Sequence, residues 1–166
     1  GLSANIVASP VFAKGIVYAG SSYEKKAMLA IRLEGAAGDI TETKNVLWSR
    51  SRGTPYVPSP LVYGDVLYYL AHYQGVLSRV NATTGEDDPG PFRLSRIRNV
   101  YASAVGAAGR LYITDRTGVT LVISHAAVPK ALALNRLNER FSASAAIVGR
   151  ELFLRGERHL YCIAEK

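Results

Sequence analysis

The segment ASPVFAKGIVYAG, residues 8–20, comes back three times along the chain. It returns as PSPLVYGDVLYYL (58–70), ASAVGAAGRLYIT (102–114) and ASAAIVGRELFLR (143–155). Setting Ser9, Ser59, Ser103 and Ser144 in register places an aromatic nine residues later in every copy: Tyr18, Tyr68, Tyr112 and Phe153. The serines are 50, 44 and 41 residues apart. Within each copy a Gly-containing turn separates two short apolar runs, at 13–15, 63–65, 107–110 and 148–151, which is a hairpin signal. A third apolar run follows each aromatic, at 27–33, 75–80, 118–123 and 158–164. Three units add a fourth run, NVLWSR (45–50), GPFRLS (90–95) and KALALN (130–135).

Self-similarity at a fixed period constrains a fold more than any local propensity. A unit of about 40–45 residues holding four short strands is the blade of a β-propeller. No stretch carries capped helical spacing. The competing reading, a β-sandwich whose strands repeat by chance, has to explain four matches in register. The pattern therefore predicts an all-β chain of four antiparallel four-stranded sheets, the last incomplete, with boundaries at 5–54, 55–98, 99–140 and 141–166. The small residues around each serine suit the crowded innermost strand next to the propeller axis. The aromatic at the end of the second strand suits the space between blades. Tyr18, Tyr68, Tyr112 and Phe153 are accordingly expected to be buried and equivalent, and so are Val17, Leu67, Leu111 and Leu152.

These residues resemble the repeat of the pyrroloquinoline-quinone (PQQ) propellers. Ser59, Pro60, Asp65, Tyr68, Gly75, Thr84 and Gly85 match its pattern in the second unit, and Ser9, Pro10, Gly15, Tyr18 and Trp48 in the first. Ala104 and Ala145 stand in place of the proline in the last two units, and neither has the Trp. The resemblance covers nearly the whole chain. It implies half of a seven- or eight-bladed propeller and a periplasmic or extracellular setting. It leaves two functional classes open. One is a non-catalytic scaffold, like the propeller lipoprotein of the outer-membrane barrel-assembly machinery, which recognises protein or polymer through its loop face. The other is the C-terminal fragment of a quinoprotein dehydrogenase whose cofactor site lies in other blades. The last unit has three runs and Gly1 aligns with Ser95, so the chain reads as the C-terminal portion of such a propeller. Its terminal blades then expose faces that invite self-association, up to a homodimer completing an eight-bladed ring. The flanking charges Arg155, Glu157, Arg158, Glu165 and Lys166 would favour a monomer instead.

Composition narrows the partners. Lys and Arg together number 20 against 13 Asp and Glu, for a formal charge of +7. The positive residues are scattered, with no run and no interleaved aromatic ladder, which argues for a solvated basic surface over nucleic-acid binding. No window approaches the roughly 18 apolar residues of a membrane-spanning helix. The single cysteine, Cys162, lies in the apolar run HLYCIA and is expected to be a buried, inert thiol. NAT at 81–83 has the form of a glycosylation sequon, but NATTGE is better explained as a turn.

Propeller sites are expected on the face built by the loops between second and third strands and by the links between blades. Those segments bring forward Arg52, Tyr56, His72, Tyr73, Gln74, Arg98, Asn99, Tyr101, Asp115, Arg116, Arg155 and Arg158. Arginines beside Tyr and His suit a carboxylate, sugar or phosphate ligand. Nothing in the pattern supplies catalysis. No acidic cluster surrounds Asp115 and Asn99, as PQQ with calcium requires, and there is no adjacent cysteine pair. Ser124 and His125 are only sequence neighbours. His72, His125 and His159 fall in different units without metal-ligand spacing. No cofactor and no metal are expected for this chain.

Overall fold

The computed structural model describes residues 1–72 and 74–164, with the backbone alone at His72. Tyr73, Glu165 and Lys166 lie outside the described residues. The described chain is all β, in four antiparallel meanders that follow one another in sequence. Blade one holds β1 (Val11–Ala13), β2 (Ile16–Ser21), β3 (Ala27–Arg32) and β4 (Val46–Arg50). Blade two holds β5 (Leu61–Tyr63), β6 (Val66–His72), β7 (Val76–Asn81) and the two-residue β8 (Phe92–Arg93). Blade three holds β9 (Val105–Ala107), β10 (Arg110–Thr114), β11 (Val119–Ser124) and β12 (Ala131–Arg136). Blade four holds β13 (Ala146–Val148), β14 (Glu151–Arg155) and β15 (Leu160–Ala164).

The first hairpin of every blade closes in the same register. Val11 faces Tyr18, Leu61 faces Tyr68, Val105 faces Tyr112 and Ala146 faces Phe153. Two-residue turns hold that register. Lys14–Gly15 and Ala108–Gly109 have positive φ at both positions, the type I′ pattern whose twist matches the flanking strands. Asn81 makes the turn that the NATTGE segment requires, its side-chain oxygen accepting from the amides of Thr83 and Thr84 at 2.9 and 3.0 Å.

The recurring serine has a role that small size alone does not convey. The amide of Ser9 donates to the hydroxyl of Ser59 at 3.0 Å. Ser59 in turn donates to Ser103 at 2.9 Å, and Ser103 to Ser144 at 2.9 Å. A ladder of identical hydrogen bonds thus runs from blade to blade just ahead of the innermost strands. It brings β1 beside β5, β5 beside β9 and β9 beside β13.

The core lies between blades. Tyr18, Met28 and Ala30 of blade one meet Leu67, Tyr69 and Val80 of blade two in one buried cluster. Tyr68, Leu70 and Leu77 of blade two meet Leu111, Ile113, Leu121 and Ile123 of blade three in another. Alternation along β6 therefore sends Leu67 and Tyr69 one way and Tyr68 and Leu70 the other, as a strand buried on both faces must. The link between blades two and three adds Leu94, Ile97 and Val100 to the second cluster. Trp48 of β4 lies over Tyr18, ring centroids 6.0 Å apart, and donates to the carbonyl of Ala82 in blade two at 3.0 Å.

Blade four is fitted differently. A cleft of about 620 Å³ separates it from blade three, lined among others by Tyr112, Thr120, Asn135, Ile147, Leu152 and Ile163. The expected equivalence of the aromatics thus holds in register but not in burial. Tyr18 and Tyr68 are buried, whereas Tyr112 borders the open cleft and Phe153 lies on the far face of blade four, leaving both half-buried. Val17 and Leu152 are likewise half-buried, and Leu67 and Leu111 fully buried. Cys162 corrects a second expectation: its thiol is exposed. Its apolar neighbours mark a strand, but no sheet covers that face among the described residues.

Two outcomes check this arrangement. Tyr68→Ala empties a fully buried aromatic site and is expected to lower unfolding stability by about 3–5 kcal/mol, against less than half of that for Phe153→Ala, in urea titrations followed by fluorescence. Ser103→Ala removes the acceptor for Ser59 and is expected to cost about 1 kcal/mol in the same assay.

Candidate functional site: an arginine-lined groove on the loop face

The turn between β10 and β11 and the link between blades two and three are tied by one carboxylate. Asp115 is buried and accepts from the amide of Thr117 at 2.8 Å, the hydroxyl of Thr117 at 2.8 Å, the amide of Val119 at 3.1 Å and the amide of Arg98 at 3.2 Å. The amide of Arg116 donates to the carbonyl of Asn99 at 3.2 Å, and its guanidinium lies over the Tyr101 ring at 4.7 Å. Asn99 and Arg96, in the same link, both take positive φ. Gly118 closes the turn where no side chain fits: a Cβ there would lie 2.1 Å from the carbonyl oxygen of Leu137.

Beside the knot opens a groove of about 480 Å³, lined by Arg96, Arg98, Asp115, Thr117, Val119, Leu134, Asn135 and Arg136. Three arginines line it, and none of them pairs with a carboxylate among the described residues. Its one acid, Asp115, is committed to backbone amides and a hydroxyl. Asp115 therefore offsets the three arginines without bridging to any of them, and the groove presents donors and positive charge to an anionic group.

The other candidates sit elsewhere. Arg52 and Tyr56 belong to the link between blades one and two, where the amide of Tyr56 donates to the carbonyl of Leu70 at 3.2 Å. Gln74 is exposed in the β6–β7 turn. His72 ends β6, and Tyr73 is outside the described residues. Arg155 donates to the carbonyls of Gly156 and His159 within its own turn. The structure thus gathers Arg98, Asn99, Tyr101, Asp115 and Arg116 into one locus, joined by Arg96 and Arg136.

A second carboxylate binds blade four to its link. Glu139 accepts from the amide of Arg158, from the amide of His159 at 3.1 Å, from His159 Nδ1 at 3.1 Å and from the Tyr161 hydroxyl at 2.7 Å. Gly156 packs flat on that carboxylate, leaving no room for a Cβ. Burial opposes ionisation of Glu139, but the bonds from Tyr161, Arg158 and His159 outweigh it and hold its pKa down to about 2. The bond to Glu139 also raises the Tyr161 phenol above its ordinary value.

Two other arginines are consumed in packing. Arg79, buried, lies over the Tyr68 ring at 5.4 Å, pairs with Asp88 at 3.3 Å and donates to the carbonyl of Ala127 in blade three. Arg50 of blade one donates to the carbonyl of Gly85 at 2.7 Å and pairs with Asp87 at 2.5 Å.

The residues present do not fit PQQ with calcium. Among the described residues no three His, Cys, Asp or Glu side chains converge to hold a metal. Trp48 is packed between blades, and Asp115 has its acceptor positions taken by the loops. His125 bonds the Tyr68 hydroxyl at 2.7 Å, while the Ser124 hydroxyl accepts from the amide of Lys130 at 2.9 Å.

No family model and no curated protein matches the chain. Solved structures do. BamB from Moraxella catarrhalis superposes with a TM-score of 0.70 at 11% identity, over 95% of this chain and 42% of that one. The computationally designed Ika4 protein gives 0.71 at 10% identity, over 99% and 93%. A europium-containing methanol dehydrogenase gives 0.54 at 10% identity, over 76% and 24%. The likeness shows the fold. The described chain is four consecutive β-propeller blades. It spans less than half the length of the BamB chain, and no described helix is long and apolar enough to cross a membrane.

The Glu139 knot gives blade four a pH signature. A carboxyl whose folded pKa lies below its ordinary 4.5 stabilises the fold fully above that value, and the contribution is lost as pH falls towards 2. Hydrogen exchange of the Arg158 and His159 amides is expected to quicken over that window, relative to the blade-two amides. Glu139→Gln is expected to abolish the difference by loosening the turn at neutral pH.

Proposed function

We propose that the chain is a non-catalytic binding propeller that recognises a protein or polymer partner through its loop face, with the arginine groove as the contact for an acidic segment. The observation carrying this reading is the trio Arg96, Arg98 and Arg136: three exposed arginines lining one groove without a described carboxylate partner, beside an acid already bonded to the backbone. Arg116 on Tyr101 extends the same surface with a flat, half-exposed platform. Such a groove favours extended anionic chains, because successive carboxylates can each take a bidentate guanidinium contact. The resemblance to PQQ propellers implies a periplasmic or extracellular place for this activity. The terminal blades are a separate surface, for self-association.

The test is binding of fluorescently labelled poly-L-glutamate at low ionic strength, read by anisotropy against an uncharged peptide of equal length. Poly-L-glutamate is expected to bind and to weaken as salt is raised. Arg98→Glu with Arg136→Glu is expected to reduce affinity at least about ten-fold, whereas Arg52→Glu, on another link, leaves it within about two-fold. Equal loss from both variants would show that general positive charge, and not the groove, holds the ligand.

A further inference from the structure

The fourth strands of the first three blades are protected unequally. β4 is largely half-buried and blade two covers it, with Trp48 and Arg50 donating to the carbonyls of Ala82 and Gly85. β8 has two residues and follows Pro91, and both shortness and proline discourage pairing at an edge. β12 has neither protection. It runs six residues, Ala131–Arg136, all of them exposed and none a proline, and its only charge is Arg136 at the end. It is the edge of its sheet, paired to β11 alone.

The direction of its free backbone groups follows from the register. The amide of Leu137 donates to the carbonyl of Gly118 at 3.0 Å. Bonded and non-bonded pairs alternate along an antiparallel ladder. Thr120 and Asn135 are therefore a bonded pair, while Val119 with Arg136 and Leu121 with Leu134 are not. The amides and carbonyls of Leu134 and Arg136 point away from β11 to the open edge, and no loop or turn among the described residues bonds them. Their side chains share the blade-two side of blade three with Val119 and Leu121, and both line the arginine groove. The same two residues thus present the unpaired edge and the groove.

We propose that the open edge of β12 takes an extended acidic peptide as a fifth, antiparallel strand of blade three. The inference rests on the reading of the arginine groove as the contact for an acidic segment, and adds how that segment is held. A strand laid along β12 exchanges amide and carbonyl bonds with Leu134 and Arg136. Residues bonded in this way carry their side chains on the same face as their partners. Every second side chain of the peptide therefore enters the groove beside Arg96, Arg98 and Arg136, and the residues between turn to the other face. Main-chain bonds give the affinity, and the alternate side chains give the selectivity for acids. A second copy of β12 on that edge would set two groups of arginines against each other, and like charge opposes it. An acidic peptide brings the complementary charge.

The probe is a labelled short peptide of alternating Thr and Glu, blocked at both ends, read by anisotropy at low ionic strength. Methylating its Glu backbone nitrogens removes the amides that face β12 and leaves every charge in place. That change is expected to weaken binding at least about ten-fold, whereas methylating the Thr nitrogens, which face away, leaves it within about two-fold. On the protein, Leu134→Pro removes an outward amide without breaking a bond to β11, and is expected to weaken binding about five-fold more than Leu134→Ala does, with an unchanged far-ultraviolet spectrum. Equal binding by the two methylated peptides overturns strand addition, and so does equal loss from both, or loss from the Thr-methylated peptide alone. If Arg98→Glu with Arg136→Glu still removes binding in those cases, the arginine groove stands without the added strand. Binding of neither this peptide nor poly-L-glutamate overturns both. A dimer of the chain that Leu134→Pro dissociates would place a second copy on the edge, and overturns the peptide as its occupant.

Discussion

Everything in this structure is registered by the hydrogen bond from one serine amide to the next serine hydroxyl. Each bond is worth only about 1 kcal/mol, so the ladder is not what holds the molecule together. It sets where the apolar faces meet. Ser9, Ser59, Ser103 and Ser144 stand just ahead of the innermost strands, and the aromatic nine residues on is fixed by the hairpin that follows. Once the serines are in contact, Tyr18 and Tyr68 can only enter the spaces between blades. Burial there supplies the larger energy, several kcal/mol for each filled aromatic site. A weak directional interaction thereby positions a strong undirected one.

The charges divide by the same logic. Arg50 and Arg79 each reach from one blade to the next, and each meets both a carbonyl and a carboxylate. Asp115 and Glu139 accept backbone amides and so pin loops rather than neutralise arginines. A chain with seven more basic than acidic residues, whose buried acids among the described residues, Asp115 and Glu139, are turned to its own backbone, has to leave positive charge somewhere. Arg96, Arg98 and Arg136 gather part of it on one groove.

The fold was legible because it is periodic. Four serines and four aromatics at constant offset report the hairpin register directly, and the turn glycines report its closure. The hydroxyl's role was not legible, because its partner lies 41 to 50 residues away and only the assembled ring brings them together. Glu139 escaped for a related reason. NERF has no motif character, and the groups that bond Glu139 lie 19 to 22 residues downstream on another blade. Arg136 was missed because it ends an outer strand, outside the loops and links, whereas Arg96 stands in the same link as Arg98 and nothing local set the two apart. Cys162 shows the opposite limit: an apolar run establishes a strand, while burial depends on what stands across from it.

That dependence on the neighbour also grades the chain from one end to the other. The first three blades share two buried clusters, in which the middle-strand side chains Tyr18, Leu67, Tyr68, Leu111 and Ile113 meet another sheet. Blade four meets blade three across a cleft, and it is held by the Ser103–Ser144 bond, the Glu139 knot and the fully buried Phe141, whose ring lies 5.8 Å from that of Tyr161. A sheet pressed against its outer face would supply the apolar contact that this blade lacks there, burying Phe153, Val148 and Leu160.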